Sequence, residues 1–294
     1  RLNVNQNISF QSCELSGKGF IISEEEAQEW IKKDSKNKKV LKPMLDGKSL
    51  INLFHKKEWV IDFNDLSLED ASEYKLPFER VKKKVKPERD ENKEQLRREN
   101  WWKHGRSRSA MRKALIGLSC YFAIPKIIKY ILFQPVDISI LPCEANMVIA
   151  SQDFYILGIL TSKIHRIWVK AKSSTLKGDT RYTNTTCFET FPFPQTATKK
   201  IVEKIRETMI KLHEYRTEQM EKKQWGITKL YNNFFTEPSS QLYKLHQQLD
   251  KLAMEAYGFN PDDDLLEKLL KLNLELAEKE ERGEKIVGCW DIYQ

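Results

Sequence analysis

The chain has 294 residues, 40% hydrophobic and 31% charged, enough apolar material for one large core or two smaller ones. Its net charge of +8 is unevenly spread: residues 196 to 294 carry 16 basic and 18 acidic side chains, so residues 1 to 195 hold an excess of +10, which points to a polyanionic partner. The five cysteines are odd in number, far apart and never in a C-x-x-C pair, which argues against a disulfide framework and a cysteine zinc site and fits the cytoplasm.

From Ile8 to Ile22 apolar and polar residues alternate around Gly17 and Gly19, predicting strand, turn, strand. Ser23 then caps a helix with glutamates in its first turn and lysines in its last. Residues 38 to 51, punctuated by Pro43 and Gly47, read as a loop with a short helical turn. "EWVIDF" follows as a strand and "SLEDASEY" as a second capped helix.

Residues 80 to 113 hold 14 basic and 5 acidic side chains and so supply most of the excess charge. The stretch reads as extended to Pro87 and helical from Glu88 to Trp102. Trp101 and Trp102 beside Lys103, His104, Arg106 and Arg108 suit a surface that meets phosphates and stacked bases; burial of the tryptophans as core anchors is the alternative. Arg106, Arg108, Arg112 and, further on, Lys177 are candidate phosphate contacts on charge alone.

The longest apolar stretch, residues 114 to 133, contains Pro125, Lys126 and Lys129, which a membrane span would have to bury, so no span is expected, and no signal peptide either. "CYFAIP", "YILFQPV" and "NMVIAS" read as short strands. Residues 154 to 173 return to helical spacing, with Ile156, Ile159, Leu160, Ile164, Ile167 and Trp168 as an apolar stripe and Lys163, Arg166, Lys170 and Lys172 on other faces, extending the positive surface.

"GDTRYTNTTCFETFPFP", residues 178 to 194, begins as a hydroxyl-rich strand. Asp179 and Arg181 are two apart and share a face if the segment is extended. A carboxylate can accept from cytosine N4 and a guanidinium can fork onto guanine O6 and N7, so this pair can read a G·C step; an internal Asp179–Arg181 salt bridge is the competing reading. Phe188, Phe191 and Phe193 are expected to anchor the strand in the core. After Pro194 come three amphipathic helices: one of about seven turns, one opened by Ser239 or Ser240 and closed by Gly258, and one opened by the aspartates at 262 to 264. The expected fold is α+β, with a mixed α/β domain over residues 1–195 and a helical domain over residues 196–294.

No P-loop, metal-spaced histidine pair or nucleophile signature occurs in the sequence, and the acidic run at 261 to 268 is better explained as a helix cap than as nuclease carboxylates. The opening at Arg1 reads like mid-protein sequence, so an excised fragment is expected.

"GRSRSAMRKAL", "FYILGILTSKIHRIWVKA", "GDTRYTNTTCFETFPFPQ" and "LHQQLDKLAMEAYGF", in that order, resemble the C-terminal portion of adenine-N6 DNA methyltransferases of the single-chain type IIG restriction-modification class. In that family the region is a target recognition domain followed by a helical segment. The family's Asn-Pro-Pro-aromatic and glycine-rich cofactor motifs do not occur in this sequence. The resemblance therefore implies recognition of double-stranded DNA by a chain that is itself non-catalytic. It also implies a preceding methyltransferase domain as partner, with S-adenosylmethionine bound in the parent enzyme and no cofactor in this chain. It points to Asp179 and Arg181 as base contacts. A specificity subunit of a multi-subunit restriction system is the nearest alternative, and a stand-alone nuclease the more distant one.

Overall fold

The computed structural model describes residues 1–52, 54–234 and 236–289. The first lobe comprises β1 (Ser9–Gln11), β2 (Ile21–Ser23), α1 (Glu24–Lys33), β3 (Leu41–Leu45), α2 (Gly47–Ile51), β4 (Glu58–Ile61), α3 (Leu68–Ser72), α4 (Lys75–Lys84), α5 (Lys86–Asp90), α6 (Gln95–Glu99) and α7 (Ser109–Ala114). Next come β5 (Cys120–Pro125), β6 (Ile127–Ile128), β7 (Gln134–Asp137), β8 (Leu141–Pro142), β9 (Asn146–Ile149), α8 (Phe154–Thr161), α9 (Lys163–Lys172), β10 (Ser174–Leu176) and β11 (Asp179–Arg181). The helical remainder is α10 (Lys199–Lys223), α11 (Ile227–Phe234), α12 (Gln241–Tyr257) and α13 (Leu265–Glu281). The class is α+β, as expected.

A four-stranded sheet in the order β1-β9-β5-β7 divides the interior. Because side chains alternate across a strand, β5 and β9 feed two cores at once. Tyr121, Ala123 and Val148 face the first lobe, whose second sheet runs β2-β4-β3-β8. Phe122, Ile124, Met147 and Ile149 face the helices. That second core includes Phe191 and Phe193 together with Ile201, Ile205, Met209 and Leu249, so apolar packing runs without a break past residue 195. In α8 every residue from Tyr155 to Thr161 is buried, which makes it the central helix of this half. Gly158 lets α10 approach it: an added Cβ would stand 2.6 Å from Ile205 Cγ2.

Local capping chemistry follows the sequence. Ser23, Ser67, Ser240 and Asp264 each accept from backbone N–H groups of the helix that follows. Gly258 closes α12 at φ +66°. Several expectations fail on long-range grounds. β1 and β2 do not pair with each other; β1 pairs with β9 and β2 with β4. Residues 41 to 45 form a strand despite Pro43, since β8 starts its pairing only at Met44 and the proline interrupts no ladder on that side. Residues 80 to 84 are helical, because Phe78 and Val81 give α4 a buried face. The predicted helix over 154–173 is two helices, broken where Ser162 takes an extended conformation and its hydroxyl donates to the Ile159 carbonyl at 2.7 Å. "YILFQPV" is a strand only from Gln134, and α11 was not foreseen.

Candidate nucleic-acid interface

α9 ends at Lys172, and the chain turns at once into a hairpin in which Ser174 faces Arg181, Thr175 faces Thr180 and Leu176 faces Asp179. The two residues at its tip, Lys177 and Gly178, have φ of +53° and +89°. Two left-handed residues in succession suit the twist of a two-residue hairpin. Glycine is needed at 178 for conformation rather than space, since an added Cβ would meet nothing within 4 Å. Lys177 holds the same kind of backbone without glycine's freedom, and its side chain is exposed.

The hairpin is fastened on one side only. β11 pairs with β6, Thr180 opposite Ile128 and Arg181 opposite Ile127, and the next residue, Tyr182, donates its backbone N–H to the Lys126 carbonyl at 2.8 Å. Tyr182 is buried, edge-on to Phe133, with its hydroxyl 3.1 Å from His165 Nε2 in a shared hydrogen bond. Burial pulls the His165 pKa down to about 3, so the imidazole is neutral. A single π turn at Asn184–Phe188 replaces the expected continuation of the strand; Phe188 at its end and Phe191 and Phe193 beyond it are buried.

Strand alternation sorts the hairpin's side chains. Thr180 shares its face with buried Ile128. Asp179 and Arg181 share the other face with Leu176 and Ile127, which are 48% and 43% exposed. The competing salt bridge is absent: among the described residues neither Asp179 nor Arg181 makes a side-chain hydrogen bond or ion pair. An acid, a guanidinium and two apolar side chains thus stand on one outward face of a ribbon held at its base.

The arginines of the 80–113 stretch are arranged differently. Arg112 closes a two-bond fork on Asp62, at 2.8 and 2.9 Å, while its Nε donates to the Ser107 carbonyl and Nη2 reaches the Cys13 sulfur. Burial alone would raise the Asp62 pKa, but His104 and Arg112 outweigh it and hold the carboxyl below its ordinary value. This geometry ties α7 to the end of β4 and leaves no free fork, so the nomination of Arg112 as a phosphate contact is corrected: its partner is an internal carboxylate. Arg89 is buried and donates to the Leu15 carbonyl. Trp101 and Trp102 are each 8% exposed, packed edge to face, with Trp102 Nε1 donating to the Leu66 carbonyl, so they are core anchors and not a stacking platform. Arg106 remains exposed, 3.3 Å from Glu14. Arg108, in a left-handed conformation at φ +58°, donates to Gln11 Oε1 and the Ser12 carbonyl.

One residue missed in the sequence joins the two regions. Lys126, half-buried between β5 and β6, has its pKa lowered by burial and by the charges of Arg108 and Arg181, against Glu14 and Glu144. Its backbone carbonyl holds the hairpin base through Tyr182, and the charge of Arg108 reaches its ammonium. The run "IPKII" offered no sign of this, because the charged groups around the lysine lie at sequence positions from 14 to 181, none of them in the run itself. Among the described residues no cluster of three or more His, Cys, Asp or Glu could hold a metal ion, and no helix is long and apolar enough to cross a membrane.

A polar ribbon carried on an α+β body and buttressed by helices defines a recognition domain. The chain belongs to the family described as MmeI, target recognition domain, whose model matches residues 2–195. It is 37% identical over 138 residues to DNA methyltransferase A of Bacillus subtilis (strain 168), an alignment covering 45% of this chain and 15% of that relative. Its fold is similar to that of the type IIL restriction-modification enzyme MmeI, solved in complex with DNA, with a TM-score of 0.75 at 20% identity over 92% of this chain and 36% of that one. The chain thus spans well under half of either relative.

Proposed function

We propose that this target recognition domain reads the sequence of double-stranded DNA through the β10–β11 ribbon, on behalf of an adenine-N6 methyltransferase domain of the parent enzyme. The observation that carries the reading is the outward face of the ribbon, where Asp179 and Arg181 keep their polar groups unspent. A two-stranded ribbon fits the major groove, whose width is about 12 Å, and a carboxylate with a guanidinium suits the donor and acceptor pattern of a G·C pair. Lys177 at the tip and Arg106 and Arg108 beside the base supply phosphate contacts, with Lys126 between them; such contacts position the duplex without reading it. The names of the two relatives support this reading, one being a DNA methyltransferase and the other a DNA-bound restriction-modification enzyme.

Residues 1–195 form the reading domain and residues 196–294 its helical support. S-adenosylmethionine belongs to the parent's methyltransferase domain, which would flip the target adenine out of the stack to reach its amino group. The setting is cytoplasmic. The test is selection of bound molecules from a pool of randomised duplexes by the purified chain. Enrichment of a defined motif is expected. Binding with no sequence preference, or no binding even at low salt, would reject the reading.

A further inference from the structure

On the side of the hairpin's root, α9 and α12 enclose an open groove of about 670 Å³. Its α9 wall presents Lys163, Arg166 and Lys170, spaced i, i+3 and i+7, and its α12 wall presents Lys251. Arg166 is already engaged: its Nη2 stands 2.9 Å from Asp250, whose other oxygen accepts the Lys163 backbone N–H at 2.6 Å. The ammonium groups of Lys163, Lys170 and Lys251 have no ion pair or hydrogen bond among the described residues. Among the described residues, three unpaired cations therefore line a groove whose one carboxylate, Asp250, is neutralised by Arg166. His246 forms part of the α12 wall; it is 2% exposed, and its Nδ1 has no partner although its Nε2 is 2.7 Å from the Tyr231 hydroxyl.

The position of the groove selects among anions. From Lys163 to Lys172 the helix rises by roughly 13 Å at about 1.5 Å per residue, and the reading hairpin starts two residues later. At about 3.4 Å per base pair that rise equals about four base pairs, so a duplex seated on the hairpin and lying along α9 would meet the groove about that far from the bases being read. We infer that the α9–α12 groove holds the sugar–phosphate backbone of the same DNA duplex beyond the recognised bases, through Lys163, Lys170 and Lys251. The inference rests on the DNA-reading assignment and extends it: the helical region, net acidic as a whole, lends one cationic wall to the footprint.

The experiment measures binding of a fluorescein-labelled duplex of about 30 base pairs with the selected motif at its centre, and of shorter duplexes cut back to the edge of the motif on one side or the other, to the chain and to the triple variant Lys163→Gln/Lys170→Gln/Lys251→Gln, as a function of salt. One of the two cuts removes the backbone that would lie in the groove. For the unaltered chain the slope of log affinity against log salt should be steeper on the longer duplex than on that shorter one, and the variant should lose up to about 2.7 of that slope, at about 0.9 per phosphate contact, on the longer duplex only. Motif preference in a randomised pool should not change. Equal slopes for variant and unaltered chain on the longer duplex overturn the proposal while leaving the hairpin's role intact. A variant that loses motif preference as well shows that the lysines act through the fold and overturns it too. Failure of the unaltered chain to bind any of these duplexes removes the DNA assignment, and this groove's role with it.

Discussion

Two regions of this chain present arginine in opposite ways, one with many of them and one with a single one. In residues 80 to 113 Arg80 pairs with Glu26, Arg97 with Glu94 and Arg112 with Asp62, while Arg89 and Arg98 donate to backbone carbonyls. In the β10–β11 hairpin Arg181 is exposed and, among the described residues, unpaired, with Asp179 beside it on the same face and equally unpaired there. A high density of positive charge in sequence is therefore no measure of what a partner meets. The arginines of the more highly charged stretch are largely ties within its own lobe, whereas the arginine of the short ribbon stands open to solvent.

The contrast is broken or sharpened most strongly at Arg112. Replacing it with leucine strands the Asp62 carboxylate in a site only 6% exposed, and the expected cost is about 3 to 5 kcal/mol in urea unfolding. Arg181→Ala should change stability by about 0.5 kcal/mol or less. Similar losses at both positions would erase the distinction. The double variant Asp62→Leu/Arg112→Met should recover much of the single variant's loss, because no buried charge is then left alone.

Acid acts on the hairpin's anchor. His165 has an ordinary pKa of 6.5 in the unfolded chain and about 3 in the folded one, because of burial. The unfolded chain gains a proton as pH falls below 6.5, and the folded chain cannot do so until about 3. Stability is therefore complete above pH 6.5 and declines through that window by up to about 1.4 kcal/mol per pH unit. His213, lowered to about 4 by burial and by Arg216, adds to the same trend between 6.5 and 4. Thermal unfolding should show His165→Phe flattening this dependence below pH 6.5; an unchanged slope would deny His165 its part.

Recognition follows in size. Asp179→Ala and Arg181→Ala should each remove about 1 to 3 kcal/mol of discrimination at one base pair while weakening binding to unrelated duplexes little. Uniform weakening over all sequences would turn the ribbon into another phosphate contact. The smallest effect is expected at Arg106→Ala, which should lower affinity for every duplex alike and reduce the salt slope by about 0.9. No change in slope would take the 106–108 turn out of the footprint.

Much was legible before any coordinates. Ser23, Ser67, Ser240 and Asp264 are caps, Gly258 ends its helix, and the long amphipathic run after Pro194 is one 25-residue helix, all because these features depend on residues a few positions apart. The shared face of Asp179 and Arg181 was legible for the same reason, since alternation is a local property of extended backbone. Their lack of an ion pair was not, and neither were the burial of Trp101 and Trp102 or the appointment of Lys126 between the 106–108 turn and the hairpin.

Amino-acid order alone determined the class of fold, the helix boundaries set by caps and the family to which the chain is similar. Only the tertiary structure decided which charges stay outside. Arg112 meets Asp62 fifty positions away, and Arg89 meets Leu15 at a distance of seventy-four. Pairings of that span are fixed by how the sheets and helices pack. Where packing brings a buried carboxylate to a cation, as Asp62 to Arg112, that charge is held inside and withheld from a partner.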